Sequence, residues 1–110
     1  KAAYVYIFST GSLETTSGAN DGSGCLIRIE RNGTFITNGT QVMDVNDAPG
    51  YSGTIGGWSI ITTETLAAGT YTYKVRAAKY AFDNFYAGGN TTAPSGFQNN
   101  GSLVVQVFYQ

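Results

Sequence analysis

The sequence predicts an all-β fold on three observations. Short runs of β-branched and aromatic residues alternate with clusters of Gly, Asn, Ser and Asp. No window holds apolar residues at i, i+3, i+4 and i+7 over three turns, and the 15 glycines in 110 residues interrupt nearly every stretch that could start a helix. Asn32-Gly33 stands between two strand-like runs, the signature of a type I′ hairpin turn whose two central residues both take positive φ. The pattern implies seven or eight strands in one domain spanning residues 1–110, an antiparallel β-sandwich or a barrel.

The first strand covers about Ala3 to Ser9. Ala3, Val5 and Ile7 form one face and Tyr4, Tyr6 and Phe8 the other, so the strand requires cover on both sides. Residues 11–24, rich in Ser, Thr and Gly, have loop composition. Cys25 to Glu30 alternates cleanly, with Cys25, Ile27 and Ile29 inward and Arg28 and Glu30 outward. The Asn-Gly turn pairs it with Thr34 to Asn38, and a weaker strand follows at Gln41 to Val45. Residues 46–57 carry turn chemistry around Ala48-Pro49-Gly50.

Trp58 to Thr63 places Trp58, Ile60 and Thr62 on one face, which makes Trp58 a core residue. After a bend at Leu66 to Gly69, Thr70 to Ala78 forms the longest alternating strand, with Tyr71, Tyr73, Val75 and Ala77 inward. Tyr80 to Tyr86 is aromatic without a clear period, and residues 87–101 read as loop. Leu103 to Tyr109 closes the chain with Leu103, Val105 and Val107 toward the core. No internal repeat is present.

Composition narrows the function. Charged residues make up 12 % of the chain, about half the usual share. Either Ser, Thr, Asn and Gly cover the solvated face, or much of the outside is buried between subunits. A net charge of −1 argues against a nucleic-acid partner. With no His, neither a Ser-His-Asp nor a Cys-His arrangement can form. The single cysteine, Cys25, shares its face with Ile27 and Ile29 and reads as a small buried hydrophobe. No apolar run approaches the roughly 20 residues that span a bilayer as a helix, so no membrane insertion is expected. The opening Lys1-Ala2-Ala3-Tyr4 lacks a signal-peptide pattern and reads as a processed chain or a fragment.

Asp21, Asp44, Asp47 and Asp83 show no spacing that would force two carboxylates together, and turn-forming Asp explains them. Asp44-Val45-Asn46-Asp47 offers oxygen ligands of the kind calcium takes, but it lacks the glycine and closing Glu of an EF-hand loop. No catalytic residue, metal or cofactor is expected. The four Asn-x-Ser/Thr triplets, three of them containing Asn-Gly, follow from turn composition. The candidate binding surface is the aromatic segment: Tyr80, Phe82, Asp83, Asn84, Phe85 and Tyr86, with Tyr51 as a loop neighbour. Rings supply contact area at low entropic cost while Asp and Asn orient hydroxyl groups. The competing reading has these rings plug one end of the sandwich or pack on a neighbouring subunit.

Leu26 to Thr34, with its basic residue before Asn-Gly-Thr, resembles a hairpin found in domains at the tips of bacteriophage tail fibres. Leu66 to Arg76, containing Gly-Thr-Tyr-Thr-Tyr, is similar to the most recognisable stretch of those domains, and Gly101 to Phe108 to their closing strand. In order and approximate spacing the likeness covers about the whole chain. Such domains resemble the trimeric jelly rolls of tumour necrosis factor and the complement globular head. The resemblance implies an eight-stranded jelly roll in a homotrimer on the virion. Its role there would be non-enzymatic binding of a host cell-surface receptor, glycan or protein. It has no fixed receptor-binding residues to carry over. In a threefold assembly one face of the first strand enters the sandwich and the other the axis. Tyr4, Tyr6, Phe8, Val104 and Phe108 are therefore the candidate trimer-interface residues. The alternatives are a purely structural trimerisation or capping module, and a monomeric bacterial adhesin or carbohydrate-binding module.

Overall fold

The alternation in the sequence becomes seven strands in the computed structural model, which describes residues 1–15, 22–46, 54–82, 85–87 and 101–110. They are β1 (Ala3–Thr15), β2 (Gly22–Arg31), β3 (Thr34–Asn46), β4 (Ile55–Leu66), β5 (Tyr73–Phe82), β6 (Phe85–Ala87) and β7 (Ser102–Tyr109). No helix occurs among the described residues. In the first sheet β1 pairs with β4 along one edge; along the other, β7 lies opposite Ala3 to Thr10 and β6 opposite Leu13 to Thr15. The second sheet has the order β3-β2-β5. Every pairing is antiparallel.

Both sheets contribute to one core. Val5, Ile7 and Leu13 of β1 meet Cys25, Ile27 and Ile29 of β2, with Trp58 and Ile60 of β4 beside them. Cys25 and Trp58 are buried as expected. Asn32 (φ 49°) and Gly33 (φ 85°) both take positive φ, the condition of the type I′ turn.

Several boundaries differ from the sequence reading: β4 spans Ile55–Leu66 rather than Trp58–Thr63, β5 spans Tyr73–Phe82 rather than Thr70–Ala78, and β1 and β3 are the longest strands. Residues 11–15 and 22–24 are strand, despite their Ser, Thr and Gly content, because packing overrides weak β-propensity there. The Trp58 indole fills the space over Gly11, where an added Cβ would stand 2.1 Å from Cζ2, and its Nε1–H donates to Ser9 Oγ at 3.1 Å. The two expected strands at Thr34–Asn38 and Gln41–Val45 are instead one, β3. Its register jumps from Arg28↔Thr40 to Glu30↔Phe35, so residues 36–39 form a large bulge with Asn38 at φ 61°.

Among the described residues the two sheets close along one side only. Where β3 runs beside β4, the Ser59 N–H donates to Gln41 Oε1 at 2.9 Å and Val45 packs over Gly56. On the other side β5 and β7 leave a groove of about 920 Å³, lined by Val5, Leu66, Tyr71, Tyr73, Val105 and Val107 among others. The residues expected inward keep that face but are less buried than expected. Leu103, Tyr71, Tyr73 and Val75 are half-buried against the core, Val105 and Val107 remain 36 % and 46 % exposed, and Ala77 is exposed.

At the hairpin end a polar clamp joins the sheets. Glu64 of β4 accepts from Arg31 of β2 at 2.5 Å and from the Tyr73 hydroxyl at 2.9 Å. Burial, and then the bond to Glu64, push the Tyr73 hydroxyl up to about 12 from its ordinary 10. A raised acid means that the folded chain keeps a proton the unfolded chain releases above about pH 10. Stability from Tyr73 is thus whole below pH 10 and lost as pH rises toward 12. Thermal melts from pH 8 upward should fall in that window, and Tyr73→Phe should flatten part of the fall. Gly11→Ala should lower stability by about 1–3 kcal/mol or more through overpacking against Trp58, measured by denaturant unfolding.

Candidate functional site

Where β7 runs beside β1, the outward residues Tyr4, Tyr6, Phe8 and Thr10 form the middle column of the first sheet's outer face; Glu14 lies on the same face farther along, at the β6 end. The β1 register sets Thr65, Thr63, Ile61 and Ser59 of β4 on one side of them. Phe108, Gln106, Val104 and Ser102 of β7 stand on the other. None of these twelve residues is charged. Tyr4, Tyr6, Val104 and Phe108 are exposed by 42–53 %, Ile61 by 64 %, and Phe8 is half-buried. Tyr6 and Phe108 meet edge to face with centroids 5.5 Å apart. Tyr4, Tyr6, Phe8, Gln106 and Phe108 border a shallow hollow of about 490 Å³.

All five interface candidates therefore share one face. Ile61 completes it and was missed in the sequence, because β4 had been read only for its inward residues. The signal was available: Ile61 falls between the inward Ile60 and Thr62. The outer face of β1 has no protein cover within this chain's described residues, so the double cover its sequence requires is met on one side only.

The receptor candidates gather less clearly. Tyr51, Asp83 and Asn84 lie outside the described residues, as do the side chains of Phe82 and Tyr86. The backbone places the segment at one end of the sandwich, where Phe82 pairs with Ser23 in the second sheet and Phe85 with Thr15 in the first. Phe85 is half-buried and packs against the core, the position of an end plug. Tyr80 is 47 % exposed. It is the extra residue of a bulge between Gly24↔Ala81 and Cys25↔Lys79, and its ring lies across Gly24 so that its hydroxyl bonds to Asp44 of β3. That bond to a carboxylate raises the Tyr80 hydroxyl above its ordinary range.

The remaining chemistry is sparse. Burial, and then the charge of Asp44, push the Cys25 thiol up to about 11, so it stays protonated and unreactive at neutral pH. Among the described residues no group of three or more His, Cys, Asp or Glu comes together. Compared with known protein families, curated proteins and solved structures, the chain matches none. Phe85→Ala should cost about 1–3 kcal/mol, less than the roughly 3–5 kcal/mol for a fully buried ring, because this ring is half-buried. A melting temperature equal to that of the unsubstituted chain would show that the ring is no plug.

Proposed function

We propose that this chain is a non-enzymatic fibre-tip module, a jelly roll that assembles as a homotrimer and attaches a virion to a host surface receptor. The observation that carries the assembly half is the uncharged stretch of the first sheet's outer face where β4, β1 and β7 lie side by side. Taking roughly 150–250 Å² for a whole aromatic ring, Tyr4, Tyr6, Ile61, Val104 and Phe108 leave on the order of 500 Å² of side-chain surface in water. That is at the upper end of what a monomer exposes, and removing it from water is favourable by roughly 25 cal/mol per Å². The threefold symmetry, the jelly-roll wiring and the tail-fibre setting rest on the resemblance of residues 26–34, 66–76 and 101–108. The attachment half rests on the aromatic segment at the sandwich end, with Tyr80 as its exposed described member.

A trimerising cap without receptor contact draws on the same face and on the core packing of Phe85. Adsorption assays separate the two, because a cap tolerates Tyr80→Ala and an attachment site does not. For the assembly itself, light scattering of the purified chain should give three times the monomer mass. Tyr6→Asp, which sets a carboxylate amid the apolar rows, should yield monomer or aggregate. A monomer before substitution, or an intact trimer after it, would overturn the reading.

A further inference from the structure

We propose that the outer face of the second sheet binds an anionic polysaccharide through Arg28, Arg76, Lys74 and Phe35. The site deepens the attachment half of the reading above and rests on it for its place in host contact. The chain has only 6 cationic residues, and three of them stand on this face. The registers place Arg28 between Thr40 and Arg76, and Glu30 between Phe35 and Lys74. Arg28 and Arg76 thus lie directly opposite one another on neighbouring strands, an arrangement in which like charges destabilise a sheet.

Within these rows Glu30 is the one carboxylate. It is 7 % exposed and accepts from Arg76 Nε at 3.1 Å. Arg28 meets no carboxylate among the described residues. Its guanidinium lies over the Phe35 ring, 4.6 Å from the centroid, and its Nε is buried without an acceptor. These two rows therefore keep uncompensated positive charge, with Asp44 farther along the face bonded to Tyr80, and an arriving anion would relieve the repulsion between the two guanidinium groups.

The chemistry of the ligand follows from these groups. A guanidinium fork matches a carboxylate or sulfate, and stacking on Phe35 holds Arg28 in place before binding. Phe35 is itself 47 % exposed and offers apolar ring surface to a sugar. Because the site lies on an open sheet, one anion is held weakly. A polymer with repeated anionic groups gains from engaging several copies at once.

The test uses the full chain against immobilised polygalacturonate, which carries carboxylates, and heparin, which carries sulfates. Neutral dextran and polyglutamate are the comparators. Binding to either acidic polysaccharide, falling as salt rises, is the expected result, and the tighter of the two names the anionic group. Arg28→Gln and Phe35→Leu should each weaken it about tenfold or more, whereas Lys1→Gln should change it less than about twofold. Arg28→Gln should melt no lower than the unsubstituted chain, since it removes one of two opposed charges. Binding to neither acidic polysaccharide, unchanged affinity in Arg28→Gln, or equal binding to dextran or polyglutamate would overturn the site. Light scattering on the same samples separates the two ideas: a monomer that binds retains the site and removes the trimer, and a trimer that does not bind does the reverse.

Discussion

The rest of the molecule depends on one constraint, the apolar character of β1 on both of its faces. A strand whose alternate residues are Ala3, Val5, Ile7 and Tyr4, Tyr6, Phe8 cannot sit at a solvated edge. It takes the centre of the first sheet, with β4 on one side and β7 and β6 on the other. Its inward residues build the core with β2, and Gly11 opens the space that Trp58 fills. Its outward residues build the uncharged face. Core and candidate interface are therefore two readings of a single strand.

The two outer faces differ in kind. The first sheet presents aromatic, aliphatic, Thr, Ser and Gln side chains with no charge across the β4, β1 and β7 rows. The second presents Arg28, Arg76 and Lys74 around a buried Glu30, with Asp44 farther along the same face bonded to Tyr80. In a chain with so few charges, this segregation divides the surface into a side suited to self-association and a side suited to an external anion. Part of the low charge content lies here, since twelve adjoining positions of one face carry no charge.

Much of this was legible in the sequence where alternation is strict. Cys25, Ile27 and Ile29 against Arg28 and Glu30 named the faces of β2 correctly, and Asn32-Gly33 named its turn. Legibility failed where a local signal conflicted with packing. Gly11 looks like loop until the indole of Trp58, 47 positions away, is placed over it. The bulges at residues 36–39 and at Tyr80 depend on cross-strand register, which no single strand records. The alternation of β7 was correct as to faces, yet burial of Val105 and Val107 also required β5 to approach, and the sheets diverge there. The pairing of Arg28 with Arg76 was equally invisible, because 48 residues separate two positions that only the sheet makes neighbours.

That divergence bears on how the molecule opens. Among the described residues β7 has a ladder partner on one edge only, β1, while β2 is held on both edges by β3 and β5. Local unfolding free energy follows the number of contacts an opening must break. Peeling β7 away costs one ladder and a few half-buried side chains, whereas opening β2 dismantles the core. β7 is thus easier to open than β2. Fast amide exchange is expected there, as in the other strands held by one ladder, and whatever covers the uncharged, unbulged edge of β7 would slow it.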